Sequence, residues 1–219
     1  MKVTTTLAEC ATPDGSPMLL QEHDGQYFLK ISGVTLMSTT ATASEWLMAE
    51  LGCGRGPGRV LIGGLGFGFT LRRVLEMVPP SAVVVVAELL PQVIEWNRTH
   101  LDDVNGSCLA DPRVEIHEGD VAEVLSKASG GGFDAILLDV DNGVEALVAG
   151  GNRHLYGRSG LRRVKEALSP RGRVIFWSAH RDKAFARELE RHFRRVECVP
   201  AKSYPQAKKF SHTLFVADR

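Results

Sequence analysis

The sequence predicts an α/β protein in which a small β appendage precedes an open, mostly parallel β-sheet. From Arg59 onward, short apolar runs alternate with segments of helical periodicity, and several of these runs are apolar on both faces. Such runs are typical of parallel strands that helices cover from both sides. The first 45 residues instead carry hairpin signals. We therefore expect a β-strand appendage over residues 1–45 and an α/β domain over residues 46–219.

The N-terminal appendage is predicted from one turn and its flanking segments. Asp24 and Gly25 stand between strand-like residues 18–20 and 27–31. An Asp-Gly step between such segments is a strong hairpin signal. Residues 34–37 are expected to add a third strand.

The main domain is predicted to alternate strands and helices. A helix should begin near Thr42, because Thr42 and Glu45 have the spacing of a capping box. Pro91 should open another, since proline is favoured in the first turn. The remaining helices are expected after Asp120, over 161–168 with a loop at 170–172, and over 185–193; the strands are expected at 60–62, 83–87, 114–116, 135–138, 174–177 and 213–217.

Composition and charge exclude several classes of protein. The chain has 26 Lys plus Arg, 26 Asp plus Glu and 44% hydrophobic residues, which disfavours disorder. Its zero net charge gives no global attraction to nucleic acid or an anionic membrane. No apolar run approaches the roughly 18 residues of a membrane helix. The four cysteines form no C-x-x-C pair, so we expect free thiols and a cytoplasmic location.

A glycine-rich segment follows the first strand of the main sheet and contains Gly63, Gly64, Gly66 and Gly68. In open α/β sheets, ligands bind beyond the carboxyl ends of the strands. Glycines there let the backbone approach a ligand and aim helix N–H groups at it. A dinucleotide fingerprint would need a small residue where Phe69 stands, and no P-loop motif occurs. The alternative is a turn that merely joins strand to helix.

Acidic residues close the next two strands. Glu88 ends the second strand, where a carboxylate can accept two hydrogen bonds from a ribose diol; a solvated strand-end charge is the alternative. Asp120 follows the third strand after a glycine. It could accept a hydrogen bond from an adenine amino group or cap the next helix, and one residue can do both.

Two aspartates follow the fourth strand at alternate positions, Asp139 and Asp141. Side chains at this spacing should face the same pocket, where they could hold a cationic amine, abstract a proton or bind a divalent metal. We assign no metal ligands. A polar strand-to-loop turn is the alternative.

Together these motifs resemble the class I S-adenosylmethionine-dependent transferase fold, and more narrowly its spermidine synthase-like branch. The narrower resemblance depends on the N-terminal hairpin, the Gly63-Gly64 doublet, the segments 70–72 and 93–95, and Leu155-Tyr156 before Leu161. It spans roughly residues 34–217. It implies a Rossmann-like sheet that is mostly parallel with an antiparallel last strand.

The resemblance also implies roles for individual residues. In that family the glycine loop and the acidic residue after the second strand bind the donor nucleoside, the aspartate after a glycine binds adenine, and carboxylates after the fourth strand act on an amine acceptor. Asp139 would receive the proton of the amine, which Asp141 and Tyr156 would position. The implied donor-binding residues are Gly63, Gly64, Gly66, Gly68, Glu88, Asp120 and Asp139, and the implied catalytic residues are Asp139, Asp141 and Tyr156.

Two departures from the polyamine synthase pattern bear on the reaction. The aspartate of the G-G-G-D-G-G loop falls on Gly66 here. The family spaces its two fourth-strand aspartates by three positions, whereas Asp139 and Asp141 are two apart. Donor binding therefore matches the family better than aminopropyl transfer does.

The resemblance implies a transferase that uses S-adenosylmethionine or its decarboxylated form as donor. It would move an aminopropyl or methyl group to a small-molecule amine, without nucleic acid or membrane, and a homodimer is compatible with it. One alternative is an S-adenosylmethionine-dependent O- or N-methyltransferase, with or without a metal. Another is a non-catalytic protein that binds the nucleoside but has lost its chemistry.

Overall fold

The computed structural model describes residues 3–128, 132–140 and 153–219. The strands are β1 Thr5–Ala11, β2 Pro17–His23, β3 Gln26–Ile31, β4 Val34–Ser38, β5 Arg59–Gly63, β6 Val83–Glu88, β7 Val114–Glu118, β8 Phe133–Leu138, β9 Leu168–Ser178, β10 Arg195–Ala201 and β11 His212–Asp218. The helices are α1 Ala43–Cys53, α2 Phe69–Met77, α3 Pro91–Thr99, α4 Asp102–Asn105, a 3₁₀ turn Cys108–Ala110, α5 Val121–Lys127, α6 Arg153–Tyr156, α7 Arg158–Ala167 and α8 Lys183–His192.

The N-terminal strands form a four-stranded antiparallel sheet in the order β1-β2-β3-β4. Asp24 and Gly25 have φ angles of 55° and 73°, as a two-residue turn between right-twisted strands requires. The predicted hairpin and third strand are therefore confirmed. The sequence did not predict β1, because this largely exposed strand contains a single large apolar residue, Leu7.

The main sheet has seven strands in the order β10-β11-β9-β8-β5-β6-β7. β5 pairs in parallel with β6 and β8, while β7 and β9 extend the parallel part on either side. β11 is antiparallel to both β9 and β10. The predicted fold class, a mostly parallel open sheet with an antiparallel last strand and a small β appendage, is confirmed.

Successive residues of the central strands pack into two cores, one on each face of the sheet. Val60 and Ile62 lie in the core under α1, α2 and α3, whereas Leu61 lies in the core under α5, α7 and α8. This arrangement explains why the central strands read as continuous apolar runs. The first core also contains Met18 and Ile31 of the N-terminal sheet, so the appendage packs directly on the main domain.

Two expectations about the second half of the domain were wrong. The apolar periodicity predicted a helix that extends through Leu168 and ends at a loop over residues 170–172. In the structure, α7 ends at Ala167 and β9 starts at Leu168. The pairing of β9 with β8 shifts register there, and Pro170, which has no backbone N–H to donate, lies within the shifted stretch. The sequence also missed β10, an edge strand that contains Pro200.

The helix starts predicted at Thr42 and Pro91 are found in the structure, but the capping hydrogen bond predicted at Thr42 is not. Thr42 is the residue before α1, but its side chain makes no capping hydrogen bond. The predicted capping box is therefore absent. The environment of the Glu45 side chain is described with the candidate active site. Pro91 is in the first turn of α3, as predicted. None of the described helices is long and apolar enough to cross a membrane.

Candidate active site

Three of the predicted site segments meet at the carboxyl edge of the main sheet. Gly63 at the end of β5 is paired with Ala87 of β6 on one side and with Leu138 of β8 on the other. Glu88 and Asp139 immediately follow these partners in the chain. The register of the parallel strands thus brings the glycine loop, Glu88 and Asp139 together.

Gly64 is the point at which the loop touches the fourth-strand segment. Its φ is +89°, and a Cβ placed there would lie 2.5 Å from the carbonyl oxygen of Asp139. The backbone N–H of Asp139 donates to the Gly63 carbonyl at 2.9 Å. Glycine is therefore required at position 64 both by its conformation and by the close approach of a second backbone.

The rest of the loop is packed by side chains from other elements. A Cβ at Gly66 would lie 3.3 Å from the Met37 Sδ of β4, and one at Gly68 would lie 3.1 Å from the Cys108 Sγ. Both glycines have left-handed φ angles, 54° and 82°. Contacts on several sides set this segment apart from a simple connecting turn.

Glu88 fixes the shape of the loop through backbone hydrogen bonds. Its carboxylate accepts from the N–H groups of Leu65 and Leu90 at 2.8 and 2.9 Å, and the residue is 8% exposed. Burial raises the pKa of this carboxyl group, while the surrounding N–H donors lower it. The backbone N–H groups of Leu89 and Gly66 also act on this carboxylate, so a ribose diol would have to share its acceptor positions with backbone donors. Ribose binding by Glu88 remains a prediction.

A buried pair of asparagines supports the loop from behind. The Asn97 amide donates to the Gly66 carbonyl at 2.8 Å and accepts from the Asn105 amide at 2.9 Å. Both residues are 1% exposed. Asn97 is not among the site residues predicted from the sequence. A polar residue on a buried helix face was the signal, because such a group needs an internal partner.

Asp120 caps α5, accepting from the backbone N–H of Ala122 at 2.8 Å. The preceding Gly119 donates its N–H to the Glu88 carbonyl at 2.8 Å. This bond brings the Gly119-Asp120 pair beside Glu88, at the same edge of the sheet. Of the two roles considered for Asp120, the helix cap is confirmed, and contact with adenine remains a prediction.

Tyr156 reaches the segment after β8 from the end of α6. Its hydroxyl donates to the carbonyl of Val140 at 3.3 Å. Its ring packs against Phe176 and Phe185, with centroids 5.7 and 5.3 Å away. Tyr156 therefore contacts the residue that follows Asp139, and its role in positioning an amine remains a prediction. Asp141, the second predicted carboxylate, lies outside the described residues.

Glu45 is a site residue that the sequence did not identify as one. It lies in the first turn of α1, which packs over β8 so closely that a Cβ at Gly52 would be 2.5 Å from the Leu137 Cδ2. Burial, and secondarily the charge of Asp139, raise the pKa of Glu45 to about 8. No local signal could have revealed this, because α1 and β8 meet only in the folded chain.

A groove lies outside this edge of the sheet, away from the predicted site residues. A groove of about 340 Å³ lies against β6, β7 and α5 and contains none of the predicted site residues; among its lining residues are Arg59, Glu115, His117 and Lys127. Over the described ranges, no group of three or more His, Cys, Asp or Glu residues is arranged to hold a metal ion.

Curated proteins similar in sequence are enzymes that act on amines. A polyamine aminopropyltransferase of Synechococcus sp. (strain JA-3-3Ab) is 34% identical over 119 residues, which are 54% of this chain and 36% of that protein. Putrescine N-methyltransferase 3 of Nicotiana tabacum is 32% identical over 118 residues, 54% of this chain and 29% of that protein. The matches thus cover about a third of these relatives. No protein-family model matches the chain.

Among solved structures, a spermidine synthase bound to the transition-state analogue AdoDATO superimposes with a TM-score of 0.80. The sequences are 21% identical, and the match covers 97% of this chain and 73% of that one. At this identity the likeness establishes the fold. Together with the curated relatives, it confirms the predicted resemblance to the spermidine synthase-like branch of the class I transferase fold.

Proposed function

We propose that this protein transfers an aminopropyl group from decarboxylated S-adenosylmethionine to a small polyamine. The observation that carries the proposal is the contact between the loop at Gly64 and the backbone of Asp139. A loop suited to a nucleoside and a carboxylate suited to an amine therefore share one edge of the sheet. An alkyl transfer between two bound substrates needs this adjacency, because the reacting atoms must come within about 3–3.5 Å.

The donor is assigned to the side of the glycine loop. The backbone there is held open by glycines with left-handed φ angles and is braced by Glu88 and Asn97. In this proposal the nucleoside lies along the loop, with its ribose at Glu88 and its adenine near Asp120. The charged sulfonium then faces the segment after β8.

The acceptor is assigned to the side of Asp139 and Tyr156. The amine nitrogen attacks the carbon next to sulfur, so an N–C bond forms as the C–S bond breaks and neutral methylthioadenosine leaves. The nitrogen must lose one proton, which Asp139 receives as general base. Tyr156 holds the backbone at Val140 and thereby orients this segment.

Methyl transfer from S-adenosylmethionine is the second candidate, and two observations favour it. The loop carries Gly66 where polyamine synthases carry an aspartate. One of the similar curated proteins is named a putrescine N-methyltransferase. The same base and the same donor loop would serve, and the carbon placed in line with the nitrogen would decide the product.

Calorimetric titration of the whole chain with three ligands tests the proposal. We expect tighter binding of decarboxylated S-adenosylmethionine than of S-adenosylmethionine, and binding of methylthioadenosine as product. Incubation with putrescine and the decarboxylated donor should then yield the aminopropylated amine, identified by mass spectrometry.

Other outcomes lead to the alternatives. A preference for S-adenosylmethionine with a methylated product would establish methyl transfer instead. Nucleoside binding without any product would favour the non-catalytic alternative. Failure to bind all three ligands would reject the donor assignment.

A further inference from the structure

The carboxyl group of Glu45 is an unused buried group at the candidate active site. The residue as a whole is half-buried, but its Oε2 is shielded from solvent and accepts no hydrogen bond from any described residue. The Ser44 hydroxyl and the backbone N–H of Glu45 donate to the same carboxyl group. A buried carboxylate oxygen without a donor is costly, so Glu45 is stable as an anion in this position only when a further donor or a cation reaches it.

The charges around Glu45 favour a cation as that partner. Asp139, at the end of β8, is the charged group that acts on Glu45 among the described residues. Two arginines from elements packed on α1 are engaged at its last turns. Arg73 of α2 pairs with Glu50 at 2.8 Å, and Arg173 of β9 donates to the Leu51 carbonyl at 3.0 Å. Lys202 precedes Ser203, whose carbonyl accepts from the Ala43 N–H, and its Nζ lies 5.8 Å from the centre of the Phe210 ring. The negative charge of Asp139 thus acts on Glu45, while each of these three cations has another partner.

We propose that Glu45 and Asp139 together bind the primary alkylammonium group of a substrate, and that Glu45 releases a proton when this group binds. The inference rests on the proposed function and adds to it a residue and a proton step. Before binding, Glu45 holds a proton and Asp139 carries the negative charge. The arriving ammonium compensates a second negative charge, so the Glu45 O–H bond breaks and the proton passes to the solvent buffer.

The structure gives the reason for this order of events. Two ionised carboxyl groups in a buried site repel one another, and one of them holds its proton until a cation arrives. The raised pKa of Glu45 agrees with this geometry. A substrate ammonium removes both the repulsion and part of the desolvation penalty, so the pKa of Glu45 falls in the complex.

The ammonium can come from either substrate, and separate titrations distinguish the two. Putrescine carries it on the acceptor, and decarboxylated S-adenosylmethionine carries it on the aminopropyl arm of the donor. Each ligand is titrated alone into the full chain by calorimetry near pH 7, in phosphate and in Tris. The difference in heat between buffers with different ionisation enthalpies gives the number of protons released. Methylthioadenosine, which has no ammonium group, is the control ligand.

We expect about one proton to be released on binding of the ammonium ligand that occupies the site. Glu45→Gln should bind that ligand about ten-fold or more weakly and release close to none. Glu50→Gln is the matched control on the same helix and should behave as wild type. In wild type alone, the release should shrink towards zero as the pH rises above about 8, which tests the inference even if Glu45→Gln does not fold.

The results separate this inference from the proposed function. Binding of either ammonium ligand with no proton release, or with the same release in Glu45→Gln, would overturn the role of Glu45 and leave the transferase proposal standing. If methylthioadenosine binds but neither ammonium ligand does, the ammonium site is rejected while the nucleoside site stands. If none of the three binds, both proposals fall.

Discussion

The two halves of the candidate active site are built in opposite ways. In the donor half, which comprises the glycine loop 63–68, Glu88 and Asn97, the key groups bond to one another before any ligand arrives. In the acceptor half, which comprises Glu45, Asp139 and Tyr156, the charge of one acidic group acts on another and one buried oxygen lacks a donor. The donor half is thus preorganised by the fold, whereas the acceptor half, in the proposal above, is completed by a substrate ammonium group.

Replacing the proposed base separates the two halves most strongly. Asp139→Asn keeps the size of the side chain but removes its ability to take a proton. We expect transfer activity to fall by about 10²- to 10⁴-fold, as for loss of a general base, while nucleoside affinity changes by less than about three-fold. Asp103→Asn, on the exposed surface of α4, should leave both unchanged. A transfer rate within a few-fold of wild type would exclude Asp139 as the base.

A substitution in the loop should damage the donor half through backbone geometry. Gly64→Ala combines a left-handed φ with a Cβ that would lie 2.5 Å from the Asp139 carbonyl oxygen. Gly56→Ala is the matched control, since its φ is +65° with nothing within 4 Å of the added carbon. Chemical denaturation should show Gly64→Ala to be about 1–3 kcal/mol less stable than Gly56→Ala, the usual cost of overpacking. Equal stabilities would mean that the contact between the added carbon and the Asp139 carbonyl oxygen does not lower the free energy of unfolding.

The acceptor half should give the protein a pH-dependent stability. The pKa of Glu45 is raised from 4.5 to about 8, so between these values the folded chain holds a proton that the unfolded chain has lost. The free energy of unfolding should therefore fall as the pH rises, by up to about 1.4 kcal/mol per pH unit from this group. Glu45→Gln removes the titration.

Denaturation of wild type and Glu45→Gln at several pH values measures this contribution. The variant should gain stability relative to wild type between about pH 5 and about pH 8. A constant difference across that range would show that Glu45 titrates normally in the folded chain.

The last expected effect, similar in size to that of Gly64→Ala, concerns the support behind the loop. Asn97→Ala removes the amide that donates to the Gly66 carbonyl, which should lower the free energy of unfolding by about 1–3 kcal/mol, the usual cost of an unpaired buried group. Nucleoside affinity should fall with it. Thr99→Ala, at an exposed position of the same helix, serves as control. Unchanged nucleoside affinity in Asn97→Ala would show that the loop holds its shape without this bond.

The contrast between the halves also explains what the sequence could predict. The donor half can be predicted from local patterns. Its glycines follow one apolar strand and Glu88 ends the next, and these two strands are neighbours in the sheet. Asp139 was found in the same way. The sequence analysis did not identify Glu45 as a site residue. Its environment is created when α1 packs on β8, and no local pattern of residues encodes that packing.

The strands show the same dependence on local signal. The central strands β5 and β8 are buried on both faces over residues 60–62 and 135–138, so these stretches are continuously apolar. β1 and β10 lie at sheet edges, are largely exposed or half-buried, and carry mixed residues. Their pairing depends on the neighbouring strand more than on their own composition.

The position of Met37 against Gly66 ties the N-terminal sheet to the choice of residue in the loop. The polyamine synthase pattern has an aspartate where Gly66 stands, and aspartate tolerates a φ of +54° better than most residues do. The first carbon of that side chain, however, would lie 3.3 Å from the Met37 sulfur. An aspartate at position 66 would therefore require the flexible Met37 side chain to give way by a few tenths of an ångström. The N-terminal sheet thus forms one wall of the space that a side chain at position 66 would enter.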